Sequence, residues 1–150
     1  MTFSTITTAG AGTMGSQVAW QMAFHGKRVT VYDAIPAGLE KGKAFHRQYA
    51  EHFVAERGAT RAQVDETVSR LTYTTDLAAA VSEADLISES VPESMAIKES
   101  FWREASRHAP ARTVFTTNTS TCRRARWRAS STGRRSFSPS TSPSACGTPT

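Results

Sequence analysis

Gly10, Gly12 and Gly15 follow directly on a short β-branched run, residues 3–8, and open a helix-like stretch over residues 14–25. Few sequence features restrict a fold as strongly as GxGxxG set between a strand and a helix. The first glycine permits a tight turn, the second lets backbone approach a pyrophosphate, and the third lets the helix lie close on the strand. The start of such a helix also offers free N–H groups and the positive end of its dipole to phosphate. Gly26 suits a helix C-cap, a second strand is expected over residues 29–32, and Asp33 stands at its end, 18 residues beyond Gly15. A carboxylate there is placed to accept both ribose hydroxyls of NAD. It repels the 2′-phosphate of NADP, and Ala34 supplies no compensating cation. The expected cofactor is NAD, held by Gly10, Gly12, Thr13, Met14, Gly15 and Asp33.

The chain up to residue 121 continues the alternation that builds a parallel sheet. Helices are expected over residues 37–57, with Leu39, Phe45, Tyr49 and Phe53 as the apolar face, over 61–69 behind a Thr60 cap, and over 77–81. Ile97, Phe101 and Ala105 mark one face of a further helix, which fades near Pro110. Strands are expected at 71–74, 84–88 and 113–117. The fold class that results is α/β, a Rossmann-type doubly wound parallel sheet with five strands in the order 3-2-1-4-5. Thr7 and Thr8 replace the usual apolar pair of the first strand, which predicts modestly weaker core packing. His25, His46, His52 and His108 read as surface or helix-end residues.

Composition divides the chain at Cys122. Residues 1–121 hold 12 Lys and Arg against 13 Asp and Glu, whereas residues 122–150 hold six Arg, no Lys and no acid among Ser, Thr and Pro. The net charge of +5 and the pI near 9.7 therefore come from the tail, and the body has no basic bias of the kind that binds nucleic acid. Both cysteines, Cys122 and Cys146, lie in the tail, so the body needs neither a disulfide nor thiolate chemistry, and no metal site is expected. No apolar run approaches the ~18 residues of a membrane span. The N-terminus lacks the basic and long apolar stretches of a secretion signal, so a cytoplasmic location is expected. Two regions follow: an NAD-binding domain over residues 1–121, and a disordered Arg/Ser/Pro-rich tail over 122–150.

GAGTMG at 10–15, VTVYD at 29–33, ADLISESVPE at 84–93, Lys98 and TTNTST at 116–121 resemble the 3-hydroxyacyl-CoA dehydrogenases, through their NAD-binding domain. The Met inside the glycine motif is shared with hydroxyisobutyrate-type dehydrogenases, but SVPE followed by Lys98 and then NTST is more specific. The resemblance implies oxidation of an L-3-hydroxyacyl-CoA to the 3-ketoacyl-CoA with NAD, in fatty-acid or butyrate-type metabolism. It implies Glu93 and Lys98 at the cofactor, Asn118 among the cofactor contacts, and Ser120 touching both cofactor and substrate. Glu93 and Ser120 follow the fourth and fifth strands, on the edge where open α/β sheets bind ligands. The helix over 37–57, with Lys41, Lys43 and Arg47, corresponds to the family's helical insertion near the CoA moiety.

Members of that family continue past NTST into a sixth strand with an L-H-F signature. Its His is the general base on the 3-hydroxyl, oriented by a Glu further along. A helical domain then closes over the acyl chain and makes most of the dimer. Here no His follows His108 and no acid follows Glu104. The expectation is weak NAD binding, no appreciable dehydrogenation by this chain alone, and loss of the family homodimer interface. Back-translating residues 121–150 with permitted codons and reading one base earlier can give a continuation that includes L-H-F, so the tail reads as frameshifted translation. Two alternatives stand beside this reading. One is a related NAD-dependent hydroxy-acid or carnitine dehydrogenase; the other is an NAD-binding domain whose Arg-rich tail binds nucleic acid. Absence of Lys and of acids from the tail favours out-of-frame reading of GC-rich DNA over a nucleic-acid arm.

Overall fold

A computed structural model describes residues 2–118. The expectations for Ser120, for a disordered tail and for its out-of-frame origin lie outside the described residues. Five parallel strands form one sheet in the order β3-β2-β1-β4-β5, as expected. They are β1 (Thr5–Ala9), β2 (Arg28–Tyr32), β3 (Leu71–Thr74), β4 (Leu86–Glu89) and β5 (Val114–Thr117). Ala9 sits in register with Tyr32 of β2 on one side and with Glu89 of β4 on the other. The strand order reverses between these neighbours, so the crevice that binds ligands in such sheets opens just past Ala9.

Five helices join the strands: α1 (Thr13–Phe24), α2 (Pro36–Glu56), α3 (Arg61–Ser69), α4 (Leu77–Val81) and α5 (Met95–His108). Alternation along β1 feeds two cores. Ile6 joins Trp20, Leu39, Phe53 and Val64 beneath α1, α2 and α3, while Ala9 joins Val81, Ile87, Phe101 and Phe115 beneath α4 and α5. Thr7 and Thr8 are both fully buried. Thr7 Oγ1 donates to Ala80 O, but Thr8 Oγ1 has no hydrogen-bond partner among the described residues. An unsatisfied buried hydroxyl costs roughly 1–3 kcal/mol, so the weakness expected of this pair resides in Thr8. No helix among the described residues is long and apolar enough to cross a membrane.

Two helix faces differ from their sequence expectation. In α2 the buried stripe is Leu39, Gly42, His46, Ala50 and Phe53, and Phe45 and Tyr49 lie on its shoulder, stacked on each other. His46, expected at the surface, is 3% exposed. In α5 Lys98 is buried with Phe101 and Ala105, whereas Ile97 is 45% exposed. In each case a polar side chain is buried because partners from other elements satisfy it.

Candidate functional site

The glycine loop owes its shape to two of its three glycines. Gly10 donates its N–H to Tyr32 O at 2.8 Å and takes φ +99, and a Cβ on it would stand 2.5 Å from Ser90 O. A Cβ on Gly15 would stand 1.8 Å from Gly10 O. Gly12 differs in kind. A Cβ there meets nothing within 4 Å, so nothing in the protein requires the side chain to be missing. Among the described residues, its bareness leaves open space against the loop. Gly12 is also the N-cap of α1, with no side-chain capping bond and no acid in the first turn. The helix start is thus open to an anionic ligand, with exposed Thr13 and Met14 beside it. A pyrophosphate fits this cradle.

Asp33 completes the same edge. Its Oδ2 accepts from Ala11 N at 2.9 Å and its Oδ1 from Ile35 N at 3.0 Å. The carboxylate is half-buried and keeps lone pairs toward the crevice. Gly38, in the first turn of α2, makes room for it, since a Cβ there would stand 2.6 Å from the Asp33 carboxylate. Sequence reasoning missed Gly38. Its signal was a glycine in a helical first turn, where alanine is intrinsically better by ~1 kcal/mol.

On the other side of β1 the site rests on an ion pair that the sequence did not reveal. Glu89, the last residue of β4, is fully buried, and Lys98 of α5 is 4% exposed. Lys98 Nζ donates to Glu89 Oε1 at 2.8 Å, Val91 N to the same oxygen at 2.9 Å, and Thr117 Oγ1 to Oε2 at 2.6 Å. Asn118 N donates to Glu89 O at 3.0 Å, and Asn118 Nδ2 to Ser90 Oγ at 2.7 Å. Glu89 thereby joins the end of β4, the turn after it, α5 and the end of β5. Lys98 serves this internal joint, with its ammonium on Glu89. Glu93 is exposed on the turn between β4 and α5, and Asn118 reaches the Ser90 turn that packs on Gly10. The structure thus brings Gly10, Gly12, Thr13, Met14, Gly15 and Asp33 to one edge, with Asn118 and Glu93 on the adjoining turns and Lys98 beneath them.

The histidines lie elsewhere. His25 caps the far end of α1, His52 faces Glu56 at 3.4 Å, His108 faces Glu104 at 2.9 Å, and His46 is buried under α2. Among the described residues no group of three His, Cys, Asp or Glu is placed to hold a metal ion.

Comparison with known proteins agrees with this geometry. The family model described as the 3-hydroxyacyl-CoA dehydrogenase NAD binding domain matches residues 5–137. A probable 3-hydroxybutyryl-CoA dehydrogenase of Bacillus subtilis is 34% identical over 122 residues, which are 80% of this chain and 42% of that protein. A solved structure of a diketoreductase acting on dicarbonyl compounds is 38% identical with a TM-score of 0.75, covering 81% of this chain and 44% of that one. The 3-hydroxybutyryl-CoA dehydrogenase of Escherichia coli K12 is 29% identical with a TM-score of 0.76, covering 81% of this chain and 25% of that one. The chain spans less than half the length of these relatives.

Proposed function

Because the chain belongs to the 3-hydroxyacyl-CoA dehydrogenase family through its NAD-binding domain, we propose that it supplies the cofactor half of an enzyme oxidising L-3-hydroxyacyl-CoA to 3-ketoacyl-CoA. The cofactor is NAD, which accepts the hydride in such chemistry. Gly12 and the first-turn amides at Thr13 and Met14 receive the pyrophosphate, and Gly10 and Gly15 shape the loop around it. Asp33 takes the ribose hydroxyls. Glu93 and Asn118 lie at the cofactor, Lys98 supports them through Glu89, and Ser120 contacts substrate and cofactor. The observation that carries this reading is the pairing of an open Gly12 cradle with Asp33 tied to the Ala11 amide.

The same reading assigns no turnover to the 150-residue polypeptide. All four of its histidines lie among the described residues, and none is placed at the crevice to serve as general base. A second reading is favoured by the diketoreductase likeness at 38% identity: a substrate that is a hydroxy or dicarbonyl compound without CoA.

Calorimetric titration with NAD and NADP tests the cofactor site. Folded protein is expected to take up NAD and to discriminate against NADP, and Asp33→Ala is expected to weaken NAD by roughly tenfold or more, the worth of hydrogen bonds to a charged acceptor. Folded protein that takes up no NAD overturns the assignment. NADH consumption with acetoacetyl-CoA is expected to be absent, and measurable turnover would refute the inactivity.

A further inference from the structure

His46 sits at the centre of the buried stripe of α2, and nothing in the cofactor reading uses it. Its Nε2 lies 2.9 Å from Ser16 O and its Nδ1 2.6 Å from Tyr73 OH. A carbonyl only accepts, so Nε2 carries the proton, and Nδ1 accepts from the phenol. Ser16 belongs to the first turns of α1; its N–H bonds Gly12 O at 2.9 Å and its Oγ donates to Ala11 O at 3.0 Å. Ala11 in turn donates its N–H to Asp33. One helical turn before His46, a Cβ on Gly42 would lie 3.0 Å from Ala11 Cβ and 3.4 Å from Ser16 Oγ. Helix α2 therefore meets the glycine loop at two successive levels, by bare contact at Gly42 and by a directed hydrogen bond at His46.

We propose that His46 is a positioning residue for the dinucleotide loop: its Nε2–H, with the ring held by Tyr73, fixes Ser16 and through it the Ala11–Gly12 peptide that receives the pyrophosphate. The inference rests on the NAD-binding reading above. Contact alone at Gly42 sets a distance, whereas the imidazole sets a direction, because it must satisfy a carbonyl at one nitrogen and a phenol at the other.

The Tyr73 bond requires a neutral ring that accepts at Nδ1, whereas the Nε2–H bond to Ser16 O is made by either form of the ring. Burial pushes the pKa of His46 below its ordinary value, against a smaller opposing effect from the Ser16 carbonyl. Among the described residues, the neighbouring groups give an imidazolium no anion. Tyr73 faces it from β3, and burial raises that phenol to about 12, so it stays a donor. From α2 come Tyr49, Lys43, whose Nζ lies 5.5 Å from the Tyr73 ring, and Arg47, while Glu40 is held by Lys43. Helix α1 presents Trp20, at 6.0 Å between ring centroids, and carries no charged residue. The Tyr73 bond is therefore intact at and above the ordinary His range near ~6.5, and is lost only as pH falls through the lowered pKa of the buried ring.

NAD titration of the 150-residue chain at neutral pH and at successively lower pH for as long as the protein stays folded, beside thermal unfolding, tests the role. His46→Leu fills the space without the bonds, and is expected to weaken NAD by roughly tenfold at a temperature where it is fully folded. His46→Gln keeps one donor and one acceptor. It is expected to hold NAD within a few-fold of wild type and to abolish the acid-side fall in affinity. Folded His46→Leu with wild-type affinity, or His46→Gln with an unaltered pH profile, overturns the proposal. Should His46→Leu fail to fold, Tyr73→Phe decides: weaker NAD binding with a changed pH profile supports the role, and no change in either refutes it. Wild-type protein that binds no NAD brings down the cofactor reading and this one together, whereas uniform NAD binding across the variants brings down this one alone.

Discussion

Asp33 and Glu89 stand on either side of β1, at the ends of the strands that pair with it, and begin from the same local device. Each carboxylate accepts the backbone N–H two residues further on, from Ile35 at 3.0 Å and from Val91 at 2.9 Å. There they part. Asp33 is half-buried, and its second tie is another neutral amide, that of Ala11. Glu89 is fully buried, and both of its oxygens are engaged inside the protein, by Lys98 and by Thr117. A carboxylate near water keeps its charge without a counter-ion and has lone pairs left for a ligand. A carboxylate removed from water needs a cation and lies out of a ligand's reach. Burial thus leaves one capping device available to a ligand and makes the other a strut.

Removing the cation strikes hardest at this contrast. Lys98→Met is expected to destabilise the protein by about 3–5 kcal/mol, because Glu89 is left in the interior without its cation, held only by Val91 N and Thr117 Oγ1. Adding Glu89→Gln in the same protein should recover most of that loss. Denaturant unfolding of the single and double variants measures both. A single-variant cost below about 1 kcal/mol, the range of exposed pairs, would show that Glu89 is solvated after all and erase its difference from Asp33.

On the other side the expected damage is to binding. In Gly38→Ala a Cβ would stand 2.6 Å from the Asp33 carboxylate, so the carboxylate must turn away. Helix propensity gains up to about 1 kcal/mol from the same change, which offsets strain and keeps the net stability change small. Loss of the aligned acceptor should weaken NAD by roughly tenfold. Calorimetry together with a melting curve separates the two effects. Equal losses of stability and affinity would mean that Asp33 also acts as a strut.

Element order, strand order and the cofactor edge were legible because each has a local signal. Glycines punctuate the turns, β-branched runs mark the strands, and Asp33 ends the second strand within reach of the motif that precedes it. Buried polar residues were not legible, for a shared reason. In α2 apolar character points to Phe45 and Tyr49 beside His46, and in α5 to Ile97 beside Lys98. Apolar character alone does not mark the inner face, because burial requires only that polar atoms find partners. Those partners are distant in sequence: Ser16 and Tyr73 for His46, Glu89 for Lys98. One cue was available in α2, where Leu39, Gly42, His46, Ala50 and Phe53 keep helical spacing and the glycine marks a close approach. Glu89 offered no cue of its own, because a strand-end acid reads equally as a ligand or a strut until its burial is known.

Asp85 provides the mildest and most discriminating control, since it stands four residues before Glu89, at the opposite end of the same strand. Its Oδ2 accepts from Ser4 N and Thr5 N, each at 3.0 Å, and its Oδ1 from Arg112 Nε at 3.1 Å. These bonds, the two amides first and Arg112 after them, hold its pKa down to about 2. Asp85 has as many partners as Glu89 but remains partly exposed, so partner number and burial are separated between the two. A depressed pKa means that its stabilisation is complete above the ordinary carboxylate value of ~3.9 and is lost as pH falls through about 2. Solvent screening limits that stabilisation, so Asp85→Asn should cost under about 1 kcal/mol at neutral pH. It should also flatten the acid limb of the stability curve in that window. If Asp85→Asn instead costs as much as Lys98→Met, the number of bonds governs these carboxylates, and burial is not what separates Asp33 from Glu89.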